Sequence, residues 1–588
     1  MKALFRYFSA NNTFAWLFTI MFIAFGIKSV VTFNRDMFPD ADFGTVIVTT
    51  YYMNASPEDI ELNITNKIED SIKGINGIDY YTSVSLESQS VVSIILDSDY
   101  DDQDEVKNKI REAINRINDF PNDLDDLPVV QSLDTSIFPL MLIGLSSNSS
   151  YEDLRREAKL FESKLLNLSE IATVDKISFR DREMQIDINP KKLTFYELSL
   201  NAVSQAIQIR NQRSSLGTLE TKNNEENLFT NAEMSNKRDV ENLILRSTFS
   251  GELVRLKDVA SITNGFEEES VITHVDGKKA IGFLVNKSGS ADIINTAEKI
   301  KNLINESQES FKERNMDSFE LIYGNDFSKY VKNRFAVVKS NGSAGLFLLL
   351  LVLALFLNWR ASFWVAISIP VTILGTFTIL PLFVDHIDIL SLAAMIVVMG
   401  VVVDDSIIVS ENIIRHREMG ASPLDAAMNG INDVFKPVLT TILTTFIAFA
   451  PMFIIPGLIG KFIIVIPLVI SIALFVSLLE VTIALPAHLV PSIKGIKPIL
   501  DNKKPSRYLK IKKSFQSFVR KSLRFRYLNL VFFIALFASS LMIAKTMDLV
   551  FFPSDDAEEF HIKLEMERGT PLNVTAQKTA EIEALVED

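Results

Sequence analysis

The 588-residue chain contains no cysteine, which removes both a disulfide framework and a thiolate metal site. Its five histidines, His274, His386, His416 and His561 among them, are scattered. With no metal-ligand cluster, nucleophile triad or phosphate-binding loop, a membrane enzyme is the least favoured reading, and no metal or organic cofactor is expected. Positive charge is in deficit: 59 Lys and Arg against 73 Asp and Glu, a net charge of −14, which argues against nucleic-acid binding. Apolar residues are in excess at 48%, and they are unevenly spread. Long uncharged runs sit beside a polar, acid-rich stretch, so the chain does not read as one soluble domain.

Lys2 and Arg6 precede an apolar run from about Phe14 to Val31. It exceeds the roughly 7–15 residues of a secretory h-region and is long enough to cross a bilayer, so we read it as a retained signal anchor. Six further runs have spanning length: Gly342–Trp359, Phe363–Val384, Ile387–Val409, Val434–Pro456, Phe462–Leu489 and Tyr527–Met547. With a cytoplasmic N-terminus, the inner loops carry Arg360, then Arg415, Arg417 and Lys436, then a run of lysines and arginines from Lys494 to Arg526 opposed only by Asp501. The opposite loops offer Asp385, Asp388 and Lys461. Cationic residues on alternate loops are the positive-inside pattern. The stretch Tyr508–Arg526 alternates basic and apolar residues, as in an amphipathic helix lying on the membrane surface or a solvated basic linker.

The polar stretch from about Asn34 to Lys339 is therefore expected outside the inner membrane, as a folded α/β module. Thr45–Tyr52 is β-branched and aromatic, and Ser56-Pro57-Glu58-Asp59 has the N-cap, N1 proline and first-turn acids of a helix start. Strand-like Ser90–Leu96, helix-like Glu105–Asn118 and strand-like Val129–Leu133 complete a β-α-β-β-α-β order, the ferredoxin-like unit. A comparable series begins at Pro139, and a hairpin-like stretch surrounds Ser214–Asn227.

Phe38-Pro39 returns as Phe552-Pro553, and Pro57 and Pro571 each follow eighteen positions after the first proline of their copy. Matched spacing behind a span implies an internal duplication whose second copy is cut at Asp588.

The run GVVVDDSIIVSEN places Asp404 and Asp405 side by side in an otherwise apolar span. Intramembrane acids mark ion pathways by default, and two adjacent carboxylates in a low dielectric cannot both ionise cheaply, which suits proton pick-up and release. This run is similar to the signature of the resistance-nodulation-division superfamily, hydrophobe/amphiphile efflux branch. The span order, the large loop after span one, the duplication and Leu485–Leu489 (LPAHL) match as well. The resemblance covers the whole chain. It implies a seven-span α-helical bundle carrying periplasmic ferredoxin-like porter subdomains and a docking subdomain. The segments become 1–33 (span one), 34–135 (first porter subdomain), 136–180 with 275–335 (second porter subdomain), 181–274 (docking), 336–490 (spans two to six), 491–526 (basic linker), 527–548 (span seven) and 549–588 (start of the second repeat). It further implies a homotrimer driven by the proton gradient, exporting amphiphilic small molecules with a periplasmic adaptor and an outer-membrane channel. Asp404 and Asp405 would then carry the proton opposite a lysine of the second half. That lysine is missing from these residues, so the chain is expected to be inactive alone.

Glu480 lies about as deep as Asp404 and is either a relay partner or a structural acid. His488 is placed at the cytoplasmic interface without a role, and Asn412 is read as a helix-end polar contact. Thr440, Thr441, Thr444 and Thr445 between Pro437 and Pro451 are read as packing and back-bonding hydroxyls. Phe138 and Phe179 fall near the family's aromatic substrate cleft or are ordinary core phenylalanines, and Gln89 would add a polar contact there. The same architecture also serves heavy-metal efflux and lipid or protein export, although those branches alter the fourth-span motif.

Overall fold

The computed structural model describes residues 7, 12–53, 55–98, 100, 102–121, 124, 126–134, 139–211, 213–220, 225–231, 234, 236–247, 251, 253–356, 359–495, 507–547, 561–567 and 569–587. Among them, seven helices are long and apolar enough to cross a membrane: Asn12–Thr32, Ser328–Ala354, Ser362–Leu382, Ile389–Glu418, Pro423–Ile454, Ile459–Ser492 and Arg526–Ala544, spans one to seven below. The described helices run past the apolar windows. Span two starts at Ser328, where Asp326 accepts from the Ser328 amide and hydroxyl (3.0 and 2.6 Å). Span five starts at Pro423, capped by Ser422. Hydropathy locates the part of a helix that lipid surrounds; capping chemistry decides where the helix begins.

Between spans one and two, strands Asp42–Tyr51, Ile78–Leu86, Gln89–Leu96 and Val129–Asp134 form an antiparallel sheet, ordered second, third, first, fourth along the chain. The crossover helix begins as the sequence requires: Ser56 accepts from the Asp59 amide and Pro57 occupies the first turn. Its Ile60, Ile64, Ile68 and Ile72 recur every fourth residue, a spacing that keeps one face on the sheet. Asp102 caps the second helix, Gln103–Asn115, which buries Val106, Ile110 and Ile114. Val46, Val48, Val92 and Ile94 supply the alternating inner face of the strands.

A second sheet repeats this topology with an insertion. Strand Pro139–Ser147, helix Tyr151–Leu166 and strand Ile171–Ile177 lead out of the sheet, and strand Lys278–Lys287, helix Ile293–Glu313 and strand Phe319–Gly324 return to it. The order is again second, third, first, fourth, all antiparallel. The series starting at Pro139 therefore does not close on itself. Its next strand, Arg182–Ile188, pairs instead with Ala260–Phe266 inside the inserted segment. That segment also holds a hairpin, Arg213–Glu220 with Glu225–Asn231, and its own core around Val203, Leu256, Val259 and Ile262.

Within the membrane region, span four packs against spans two, three, five and six. Its contact with span five depends on Gly430, where an added Cβ would sit 2.7 Å from the Ile413 backbone. The helix Arg507–Arg524 precedes span seven and exposes Phe515, Phe518 and Leu523. Phe552-Pro553 lies outside the described residues, while helix Leu572–Glu587 starts just after Thr570-Pro571.

Two measurements test this packing. Gly430→Leu should drive spans four and five apart, cost about 1–3 kcal/mol as overpacking does, and lower the thermal stability of the detergent-solubilised protein. At the base of the first sheet, burial alone would raise the Asp42 carboxyl. Hydrogen bonds from Lys107 and the Gly44 amide, with the Lys107 and Lys461 charges, outweigh burial and hold it below its ordinary 3.8. An acid with a lowered folded value stabilises the fold above the unfolded value, and that contribution is lost as pH falls through the folded one. Asp42→Asn should therefore flatten the acid limb of thermal unfolding, read between about pH 5 and 2.

Candidate functional site

Span four is an unbroken helix, Ile389–Glu418, whose N-cap is Asp388; the Ser391 amide and hydroxyl both donate to that carboxylate at 2.8 Å. Asp404 and Asp405 fall at mid-helix on different faces, as adjacent helical residues must. Asp405 points into the bundle and is 3% exposed. Asp404 is exposed and lines a cavity of about 650 Å³ between spans two, three and four. Lys339, Asn341 and Ser343 line the same cavity among otherwise apolar and glycine residues such as Gly342, Gly345 and Gly400. Among the described residues neither carboxylate has a hydrogen-bond or ion-pair partner. The motif thus presents one acid to an open, lipid-depth cavity and encloses the other.

Polar contacts continue along span four on the Asp405 side. Ser406, buried next to it, lies 3.0 Å from Ser368 of span three. Two turns on, Asn412 Nδ2 donates to the Gly430 carbonyl at 2.7 Å. Asn412 is therefore a buried link between spans four and five. It ties down a carbonyl at the glycine where the helices approach most closely.

Glu480 is 3% exposed and opens a π turn, Glu480–Ala484, in span six. Its Oε2 is fully enclosed without a hydrogen-bond partner among the described residues. His488, expected at an interface, is 2% exposed. It bonds Thr19 of span one (3.0 Å), stacks on Trp364 at 4.3 Å and meets Trp16 edge-on. Trp364 in turn donates to Ser492 at 2.8 Å. Three spans meet through this ring cluster, which a single histidine in an apolar run does not announce. The threonines of span five are exposed and back-bond: Thr441 donates to the Pro437 carbonyl (3.0 Å), Thr444 to Thr440 and Thr445 to Thr441 (both 2.9 Å). Each satisfies its own hydroxyl on the backbone of the preceding turn.

Of the expected substrate-contact residues, two lie among the described ones. Phe138 lies outside the described residues. Phe179 packs against the core of the second sheet, with Arg155 and Lys176 over its ring at 4.5 and 4.3 Å. Gln89 begins the third strand of the first sheet, paired with Tyr51 and Leu86. Each of the two belongs to a separate sheet with its own core.

The bundle is fastened to the external sheets by segment 34–38. Arg35 and Ile387 form a parallel bridge, with Ile387 N donating to Asn34 O and Asp36 N to Ile387 O, both 2.8 Å. Arg35 grips Asp292 through Nε and a terminal nitrogen (2.7 and 2.8 Å), and Asp292 caps helix Ile293–Glu313. Asp36 pairs with Lys287, 1% exposed, at the end of a second-sheet strand. Burial raises the Asp36 carboxyl from its ordinary value, against the pull of Lys287. Lys461, in the first turn of span six, donates to the Asp42 carbonyl at 2.8 Å and so reaches the first sheet.

Fold and site together define a multi-pass membrane protein in which paired α/β modules stand on a helical bundle with an acid pair at its centre. The chain belongs to the AcrB/AcrD/AcrF family, whose sequence model matches residues 4–588. Members of that family are RND-type permeases of the membrane. The chain is similar to multidrug resistance protein MdtC of Escherichia coli (strain K12), 29% identical over 470 residues that cover 78% of this chain and 45% of that protein. MdtC of Pantoea ananatis (strain AJ13355) is 27% identical over 472 residues, covering 78% and 45%. Swarming motility protein SwrC of Bacillus subtilis (strain 168) is 24% identical over 626 residues, covering 98% of this chain and 58% of SwrC. The chain spans about half the length of these relatives.

Because the chain has no cysteine, Asp404→Cys and Asp405→Cys each introduce a single thiol. A membrane-permeant maleimide should modify Cys at 404 much faster than at 405; equal rates would contradict the two environments.

Proposed function

We propose that this chain is part of a proton/substrate antiporter that exports hydrophobic or amphiphilic compounds, the multidrug type of efflux. The observation that carries the reading is the Asp404–Asp405 pair at mid-span, one acid enclosed and one on a cavity wall. An ionised carboxylate at that depth costs several kcal/mol unless it faces water, protein or a partner, so a pair of them is retained for what protonation does. Taking up a proton removes the charge penalty on Asp405 and so favours a different packing of span four. Because span four is bridged to segment 34–38, and that segment to Lys287 and Asp292, such a shift has a short mechanical path to the second external sheet.

On this reading segments 34–135 and 136–180 with 275–335 are porter subdomains and 181–274 is the docking subdomain. The large loop is periplasmic, the N-terminus is cytoplasmic, and the seven helices all span the inner membrane. The full protein works as a homotrimer with a periplasmic adaptor and an outer-membrane channel. The Phe-Pro repeat belongs to an internal duplication. Family membership and the similarity to MdtC support efflux of this class.

In the full-length product of the gene, Asp404→Asn or Asp405→Asn should abolish transport while leaving membrane insertion intact, scored by drug resistance alongside protein level in the membrane. Near-normal resistance in either variant sinks the assignment.

A further inference from the structure

Polar atoms that are orphaned inside the helical bundle concentrate on facing turns of spans three and six. Thr372 Oγ1, Ser477 Oγ and Glu480 Oε2 are all fully buried without a hydrogen-bond partner. The register of the two antiparallel helices brings them to one level. Gly375 faces Val476, since a Cβ on the glycine would touch that valine, and Trp364 stacks on His488. Counting inward from both contacts puts Thr372 opposite Glu480, with Ser477 one turn away on the Glu480 helix. A buried hydroxyl or carboxyl left without a partner is destabilising, and an unpaired carboxylate far more so, so three such oxygens at one depth are not neutral packing. The backbone is special at the same place: Glu480–Ala484 is a π turn, a geometry that recurs at functional positions in helices.

Span three connects this level to the acid pair. Ser368 and Thr372 are four residues apart and therefore share a face of the helix. Ser368 is 3.0 Å from Ser406, which is covalently next to Asp405. Ser368 Oγ also donates to the Val365 carbonyl at 2.6 Å, and Thr372 Oγ1 has no partner among the described residues, so these hydroxyls share a face of span three without forming one hydrogen-bonded file.

We propose that Glu480 is a second proton-holding carboxyl of the bundle, set beside the unpartnered hydroxyls of Thr372 and Ser477 on the facing turns of spans three and six. As a neutral acid it satisfies its own burial, because its O–H becomes a donor for the orphan hydroxyls beside it. The charged groups on the elements packed against its turn are few. Span one brings Lys28 near its C-terminus and span three Arg360 near its N-terminus. Span four brings the Asp pair and charges from Glu411 onward, and span six itself brings His488 and, near its start, Lys461, which is bonded to the Asp42 carbonyl. Of those whose side chains are described, only Asp405 and His488 are enclosed with it; His488 bonds Thr19, and its Nδ1 is buried without a partner among the described residues. No cation therefore holds Glu480 ionised among the described residues. This site deepens the antiporter reading and rests on it for its role, but its protonation is testable without transport.

The test uses the full-length protein carrying Asp404→Asn and Asp405→Asn, treated in detergent with dicyclohexylcarbodiimide, which couples to protonated carboxyls in apolar surroundings. Peptide mass analysis should find the adduct on Glu480, falling as pH rises, and none in the triple variant that adds Glu480→Gln. In the otherwise native protein, Glu480→Gln keeps size and polarity. It should still cut proton-coupled efflux roughly a hundredfold, the scale of losing a positioned proton-transfer group. Glu480→Asp should restore part of the activity with a shifted pH profile. No adduct on Glu480 overturns the proposal, as does native efflux in Glu480→Gln. If Glu480→Gln fails to accumulate, the labelling arm decides alone. If native protein exports nothing while Glu480 is labelled, the antiporter reading fails and the proton site stands.

Discussion

Lys287 and Asp36 form an ion pair that is almost completely enclosed, and the connection between the helical bundle and the external sheets runs through it. Lys287 also donates to the Ser288 and Ala291 carbonyls at 3.2 Å, and Asp36 accepts from the Met37 amide, so the pair is saturated. Removing one partner of such a pair strands the other in the interior at about 3–5 kcal/mol, which makes this joint rigid and unforgiving. Arg35–Asp292 and the bridge to Ile387 flank it, so the start of span four, the end of span one and the second sheet are held within a few residues of one another. A helix carrying a titrating acid pair can act on an external module only through a connection of this kind.

The membrane region divides polar residues into three kinds. Charges at helix starts are capped or paired, as Asp388 is by Ser391 and Asp326 by Ser328 and Lys301. Hydroxyls in span five are absorbed by the backbone below them. A third group, Asp404, Asp405 and Glu480 with the hydroxyls of Thr372 and Ser477, has no such satisfaction among the described residues. In a solvent without water, unsatisfied polar atoms persist only where function keeps them. The division follows from partners rather than depth: Asn412 lies two turns from Asp405 and is bonded.

The two external sheets share one strand order, yet only the first is contiguous in sequence. A ferredoxin-like sheet tolerates a long insertion between its second and third strands because both ends of that connection lie at the surface. Here the insertion has a core of its own. Strand Arg182–Ile188 pairs with Ala260–Phe266 because the returning strand Lys278–Lys287 already occupies the place beside Pro139–Ser147.

Local signals decided what local physics controls. Ser56-Pro57, the alternating valines and isoleucines of the first sheet, the apolar runs and the Asp404–Asp405 pair were all legible, because capping, strand alternation and hydropathy depend on neighbours in the chain. Contacts between distant segments were not. The sequence places Asp404 and Asp405 together and cannot say that one faces a cavity and the other the interior, since this depends on which helices lie on either side. It offers Phe179 as a cleft residue or an ordinary core phenylalanine, and only packing shows it against the second-sheet core with Arg155 and Lys176 over its ring. It leaves His488 unassigned, whereas Trp364 and Thr19, from spans far apart in sequence, enclose it. The alignment of Ser406, Ser368, Thr372 and Glu480 likewise exists only once spans three, four and six are packed, because helix register is set by side-chain interdigitation and by glycines such as Gly375 and Gly430.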